Sequence, residues 1–202
     1  FHFEVTVSDT GTVSIDILKK EGFRAMLSYR NLCQSQVDDR RGKSGRSLDA
    51  LTYLRNARIH EHSLEGKNVI VIGGGDVAMD VAVTAVTNGA VAVQIVCLES
   101  LEEMPAQKRE LAHVQQLGVG INTQWGAANI EKTSAGKLEI TFQHCLSLKN
   151  EKGQFCPELD PRQTIKFTAD MIVTAIGQTI DKSEQKSLLP GRETHGRPGY
   201  PE

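Results

Sequence analysis

The sequence predicts an α/β fold: a parallel sheet flanked by helices, with an antiparallel meander on one side. Three observations predict it. Over residues 67–123, short apolar runs rich in Val and Ile alternate with helix-length segments. Each of those helical segments is followed by a glycine, Gly89 or Gly118, a residue suited to ending a helix. Past residue 128 the pattern changes to alternating strands, with Ser134-Ala135-Gly136 as a turn between the first two.

The elements follow in chain order. Phe3–Val7 alternates like a strand, and the abrupt start at Phe1-His2-Phe3-Glu4-Val5 suggests a piece of a longer polypeptide. Ser14–Glu21 has helical character, with Gly22 as its end, and Phe23–Ser28 reads as a short strand. Asn31–Arg46 is polar and charged and reads as a loop or link. Leu48, Leu51 and Leu54 carry helical spacing over Leu48–Ala57. His60–Gly66 is a polar approach to the strand Val69–Ile72, which is β-branched throughout and suits a sheet covered on both faces. The helix Val77–Thr87 is rich in Ala and Val. A second strand, Ala92–Leu98, stops at Glu99. Leu101–Ala106 is a connection punctuated by Pro105, and Gln107–Leu117 is an amphipathic helix with Leu111, Val114 and Leu117 on one face. Val119–Thr123 is the expected third parallel strand. Asn129–Lys132, Leu138–Gln143 and Leu146–Leu148 form the meander. Glu151–Gln163 reads as a polar loop, Thr164–Phe167 and Met171–Ala175 as strands, and the residues from Asp181 as a polar tail outside the core.

The junction Ile72-Gly73-Gly74-Gly75-Asp76-Val77-Ala78 has the order that a dinucleotide phosphate site requires. Gly73 permits the tight turn, Gly75 lets the backbone approach a pyrophosphate, and Ala78 lets the helix pack close to the strand. The pyrophosphate would lie on free N–H groups at the positive end of the helix. Glu99 stands 26 residues past Gly73 (99 − 73), near the spacing at which a carboxylate bonds an adenosine ribose. The alternative is an unrelated α/β domain that uses three glycines in a strand-turn-helix.

Composition narrows the classes. The 202 residues carry 23 Lys and Arg against 25 Asp and Glu, a net charge of −2, so nothing attracts nucleic acid or an anionic membrane in bulk. Cys33, Cys97, Cys145 and Cys156 form no C-x-x-C, so no zinc or iron–sulfur site is written. Cys97 lies in an apolar strand, as buried packing. Reduced thiols, with no signal peptide and no membrane-length apolar run, give a cytoplasmic expectation.

Three motifs in order carry a resemblance: Gly73-Gly74-Gly75-Asp76-Val77-Ala78-Met79-Asp80, Glu102-Glu103-Met104-Pro105-Ala106, and Thr174-Ala175-Ile176-Gly177-Gln178. Together they resemble the Rossmann-like NAD(P)-binding domain of the FAD-dependent pyridine nucleotide oxidoreductases, in the branch of the glutamate synthase small subunit. The match covers about residues 64–180, and residues 1–57 look like a partial flavin-domain segment with a linker. The expected division is therefore 1–57, a dinucleotide domain at 58–180, and a tail at 181–202. The resemblance implies hydride transfer between nicotinamide and FAD, with onward electron transfer. It implies flavin-domain segments or a partner subunit, which can include an iron–sulfur protein. By the same resemblance, Asp80 faces the nicotinamide end, Asp76 lies near its pocket, and Gly177 lets the cofactor lie flat.

The candidate cofactor-binding set is Gly73, Gly74, Gly75, Asp76, Val77, Ala78, Asp80, Glu99, Ser100, Ala175, Ile176 and Gly177, with no catalytic residue and no metal ligand. NADP-using members of the family carry arginines where this chain reads Leu98-Glu99. A carboxylate bonds both ribose hydroxyls and repels a 2′-phosphate, which favours NAD over NADP; Ala78 in place of a third glycine leans the other way. No second glycine turn and no late Gly-Asp motif exist to hold a flavin, so FAD is expected only in the complete protein. Met26–Arg30 lacks the glycine expected on the flavin side. The competing class is a non-catalytic dinucleotide-binding or scaffold module that lost the flavin site. Other features read blandly: His60-x-His62 as a solvated loop, Glu102-Glu103 as an exposed loop rather than an acid/base pair, and Arg40-Arg41 with Lys43 and Arg46 as solvated charge. Ser44, Ser47 and Ser100 lack a hydrolase elbow. Asp80 could instead bond a neighbouring loop.

Overall fold

The computed structural model describes residues 17, 20–22, 32–34, 47–59 and 63–180. In chain order the elements are β1 (Leu32–Gln34), β2 (Ser47–Asp49), α1 (Ala50–Ile59), β3 (Asn68–Ile72), α2 (Asp76–Thr87), β4 (Ala92–Val96), α3 (Lys108–Gln116), β5 (Gly120–Asn122), β6 (Trp125–Lys132), β7 (Leu138–Lys149), β8 (Phe155–Ala169), β9 (Met171–Thr174) and β10 (Gln178–Ile180). They fall in two units. One contains β1 and β10, paired antiparallel. The other spans Gln36–Gly177 and holds everything that concerns the candidate site.

In the larger unit β2, β9, β3, β4 and β5 form one parallel sheet in that order, and β6, β7 and β8 form an antiparallel meander. β3 is apolar on both sides because it serves two cores. Val69 and Val71 join Val93, Ile95 and Val173 against the helices, where Ala78, Val81, Ala82, Ala85 and Tyr53 are buried. Ile70 and Ile72 point the other way, with Val96 and Ile172, and meet Ile140, Phe142 and Phe167 of the meander. The result is three layers: helices, parallel sheet, meander. Each of these buried Val and Ile side chains contributes about 1.5–3 kcal/mol. The row of alanines on α2 is the reason that helix can lie close to the sheet.

The fold expected from the sequence is the fold found, and the departures are local. Leu48 does not start a helix. Ser47–Asp49 pairs in parallel with Ile172–Thr174, and the Asp49 carboxylate caps the next helix by accepting the Thr52 N–H at 2.9 Å. The sheet therefore takes in residues ahead of position 58. Asn31–Arg46 is not loop throughout, since Leu32–Gln34 is β1. β4 ends at Val96, so Cys97 follows the strand, although it is buried as expected. β6 begins at Trp125 rather than Asn129, and β7 runs unbroken to Lys149. Of the expected helix at Ser14–Glu21, Ile17 and Lys20 are helical and Glu21-Gly22 turns away. The expected strands Phe3–Val7 and Phe23–Ser28, the His60-x-His62 pair, Arg40-Arg41 with Lys43 and Arg46, Ser44, and the tail from Asp181 lie outside the described residues. No described helix is long and apolar enough to cross a membrane.

The largest correction concerns Glu151–Gln163. Most of it belongs to β8, which is 15 residues long. The register with β7 steps from Gln143↔Thr164 to His144↔Asp160, so Pro161, Arg162 and Gln163 bulge out of the ladder. Asp160 closes the bulge. It is buried, and it accepts bonds from the Arg162 N–H at 2.9 Å and from the guanidinium at 3.0 and 3.1 Å. These bonds hold its carboxyl down at about 2. An unfolded aspartate titrates at about 3.9, so this stabilisation is complete above that pH and is lost as the pH falls through about 2. Asp160→Asn should therefore lower the melting temperature measurably at pH 7, and the gap to wild type should close as the buffer is taken down to about pH 2.

Candidate functional site

The carboxyl ends of the parallel strands lie side by side, with Ile72 registered against Val96 and Thr174, and Val96 against Asn122. β3 is flanked by β4, which follows it directly, and by β9, which is reached only after the meander. The connections diverge there, and that is the edge where α/β sheets open a binding crevice. The glycine-rich turn leaves β3 at this edge.

The three glycines are not equivalent. Gly73 has φ +134° and donates its N–H to the Val96 carbonyl at 2.9 Å. A Cβ there would run into the carbonyl oxygen of Ala175 and come within 2.8 Å of its carbon. A Cβ on Gly74 would sit 2.9 Å from a Glu99 carboxylate oxygen and 3.2 Å from the Cys97 Cβ. At Gly75 the backbone is ordinary, with φ −93° and ψ 176°, and a Cβ would meet only the Pro105 Cγ, at 3.9 Å. The fold requires Gly73 and crowds Gly74, yet leaves open the space that Gly75 keeps empty.

Gly75 is also the N-cap of α2, and no side chain caps that helix. Its carbonyl accepts from Ala78 and Met79 at 2.9 and 3.2 Å, while the N–H groups of Asp76 and Val77 have no backbone partner among the described residues. Ala78 is fully buried and Val77 is half-buried. An uncapped helix start under an open backbone is a surface for an anion.

The other expected site residues lie around this turn. Glu99 is half-buried, with its carboxylate beside Gly74. Its carbonyl accepts from the Gln124 N–H at 2.9 Å. Below it the Cys97 thiol points to the same carbonyl at 3.6 Å, and burial together with the Glu99 charge pushes that thiol up to about 12. Ser100 donates its N–H and hydroxyl to Glu103, at 3.4 and 2.7 Å, and Glu103 returns its N–H to the Ser100 carbonyl. Glu103 is thus committed to its own turn rather than to Glu102. The Asp76 carboxylate accepts from the Gln107 N–H at 2.7 Å and from the Gln107 side-chain amide at 3.3 Å. Asp80 is exposed and bonds no loop among the described residues; partial desolvation, then Glu110 and Asp76, raise its carboxyl above the ordinary value. Ala175 is buried, Ile176 is exposed, and Gly177 has φ +109°.

Sequence reasoning missed two parts of this neighbourhood. Leu101–Ala106 reads as a connection that carries one of the three family-like motifs, and the structure adds that its end is docked on the turn: Met104 and Ala106 are buried, and Ala106 donates its N–H to the Gly74 carbonyl at 3.2 Å. Gln124 has φ +64°, rare for a side chain of its kind, and lines an open cleft of about 280 Å³ with Leu98, Ser100, Cys145 and Lys149. The Glu-Met-Pro-Ala motif was the available signal for the first. Nothing local signals the second.

Comparison with known proteins adds a family. A family model described as pyridine nucleotide-disulphide oxidoreductase matches residues 35–195. The chain is similar to the NAD-dependent dihydropyrimidine dehydrogenase subunit PreT of Escherichia coli, 32% identical over 146 residues, covering 72% of this chain and 31% of that one. It is similar to the NADP(+)-dependent formate dehydrogenase subunit beta of Moorella thermoacetica, 32% identical over 160 residues, covering 77% and 22%. The glutamate synthase (NADPH) small chain of Halomonas elongata is 34% identical over 136 residues, covering 66% and 27%. The chain spans about a third or less of the length of these relatives.

The inequality of the glycines can be measured without any ligand. Gly73→Ala should cost at least ~2 kcal/mol in denaturant unfolding, since it combines a collision with a left-handed φ. Gly75→Ala should stay within ~1 kcal/mol of wild type, because a weaker cap is offset by a stiffer unfolded chain.

Proposed function

This chain belongs to the pyridine nucleotide-disulphide oxidoreductase family, and on that footing we propose that it is the NAD(H)-binding part of an FAD-dependent oxidoreductase, passing hydride between nicotinamide and flavin for onward electron transfer. The observation that carries the reading is the open space at Gly75, which packing does not explain and a closely approaching pyrophosphate does. The free N–H groups of Asp76 and Val77 would bind it there. When bound, the cofactors supply the redox chemistry; the residues of the chain supply placement.

Glu99 sets the preference in this proposal. The names of the relatives divide between NAD and NADP(H), so the choice rests on what this chain presents beside the turn. It presents a carboxylate, able to accept from both ribose hydroxyls and repelling a 2′-phosphate. Asp80, Ala175, Ile176 and Gly177 would shape the nicotinamide end, and Ser100 the adenosine end. The Asp80 carboxylate has no hydrogen-bond partner among the described residues and is suited to accepting from a carboxamide.

The described residues hold one glycine turn at a strand-to-helix junction, and none remains for a flavin. Flavin-domain segments or a partner subunit would hold FAD in the complete protein, and an iron–sulfur protein is the proposed next acceptor. Two of the relatives are named as subunits and one as a small chain, which supports a partner. The same single turn favours a second reading, a binding or scaffold module without flavin. Colourless protein that binds NADH and reduces no dye would establish that second reading.

Titration with NADH and NADPH, followed by nicotinamide fluorescence, tests the proposal. NADH should bind the more tightly. Gly75→Val should weaken it about tenfold or more, and Glu99→Ala about ten- to hundredfold, the range of a lost hydrogen bond to a charged group. Glu99→Arg should move the preference toward NADPH. Binding of neither nucleotide to the wild-type chain would overturn the reading.

A further inference from the structure

We propose that Asp76 is a positioning residue: its carboxylate latches the connection between β4 and α3 onto the glycine-rich turn, and through that connection fixes Glu99 beside Gly74. The inference rests on the proposed function for its meaning, but the latch itself is a property of the chain alone.

An aspartate in the first turn of a helix is ordinarily explained by the helix dipole. Asp76 does more. It reaches a residue 31 positions away and engages it with both oxygens, Oδ1 on the Gln107 N–H at 2.7 Å and Oδ2 on the Gln107 Nε2 at 3.3 Å. Gln107 is the N-cap of α3 and has no capping side chain. The carboxylate therefore supplies an acceptor to the start of a second helix while standing at the start of its own. Next to it, Ala106 donates its N–H to the Gly74 carbonyl at 3.2 Å. One end of the connection is thus tied to two residues of the turn, Gly74 and Asp76.

The other end carries Glu99. Between them, the Ser100 hydroxyl and the Glu103 carboxylate close a short turn at 2.7 Å, so the segment is braced rather than slack. Glu99 is held through its carbonyl by Gln124 at 2.9 Å, and its carboxylate stands beside Gly74 and Cys97. Where that carboxylate lies relative to the turn depends on how the connection docks, and Asp76 makes the shortest hydrogen bond in the docking. With both oxygens serving Gln107, Asp76 acts through the connection.

Hydrogen exchange followed by mass spectrometry on the full chain, without nucleotide, tests the latch; NADH titration runs beside it. Asp76→Asn keeps an oxygen for the Gln107 N–H, and Asp76→Ala keeps none. Asp76→Ala should speed exchange over residues 98–107 by about tenfold or more, leave β3 and β9 protected, and raise the Kd for NADH about tenfold. Asp76→Asn should restore both to within about threefold of wild type. Unchanged exchange in Asp76→Ala overturns the latch, as does Asp76→Asn exchanging as fast as Asp76→Ala. Exchange unchanged in both variants with NADH binding lost in both would make Asp76 a direct nucleotide contact instead. If the wild-type chain binds no NADH, the proposed function fails while the exchange result still decides the latch.

Discussion

The ends of three adjacent strands meet at Gly73. Its N–H goes to Val96 on one side, its Cα faces the Ala175 carbonyl on the other, and the Ala175 N–H in turn reaches Ile72 at 2.7 Å. No side chain fits in that gap, and the left-handed φ of +134° directs the chain out of the sheet. The strand-to-helix turn is therefore set by backbone alone. Everything downstream inherits its placement: the start of α2, the free N–H groups, and the acceptor on Gly74 that receives the connection from β4.

That arrangement separates two demands that share one glycine-rich sequence. Gly73 answers to the sheet. Gly74 answers to its neighbours Glu99 and Cys97, which would have to move for a methyl group. Gly75 answers to neither and keeps a space that no described residue fills. The layers behind the turn are stiff for a related reason. Each residue of β3 from Val69 to Ile72 is buried, alternately against helices and meander, so the strand cannot shift toward one core without opening the other.

The parts of this fold legible in the sequence are those whose cause is local. Val69–Ile72 shows two buried faces as an unbroken β-branched run, and the alanines of α2 show a helix that packs closely. Glu99 was legible because strand length fixes the distance from the first glycine to the end of the next strand. What was not legible has non-local causes. Ser47–Asp49 is extended because β9 offers hydrogen bonds to it, and three residues cannot advertise that. Glu151–Gln163 contains Pro, Asp and Glu and reads as a polar loop, yet β7 templates its residues from 155 on as strand and Asp160 absorbs the three residues that do not fit. The tie between Asp76 and Gln107 spans 31 positions and leaves no periodic trace.

Cys97 carries a consequence of a different kind. Its thiol lies directly beneath Gly74, buried, with a negative carboxylate beside it, and is raised to about 12. At that value it is a protonated thiol at neutral pH, and only the thiolate attacks disulfides or alkylating reagents. The sulfur is buried beside the glycine turn, so the rate at which a small thiol reagent labels Cys97 reads opening of the structure at that place.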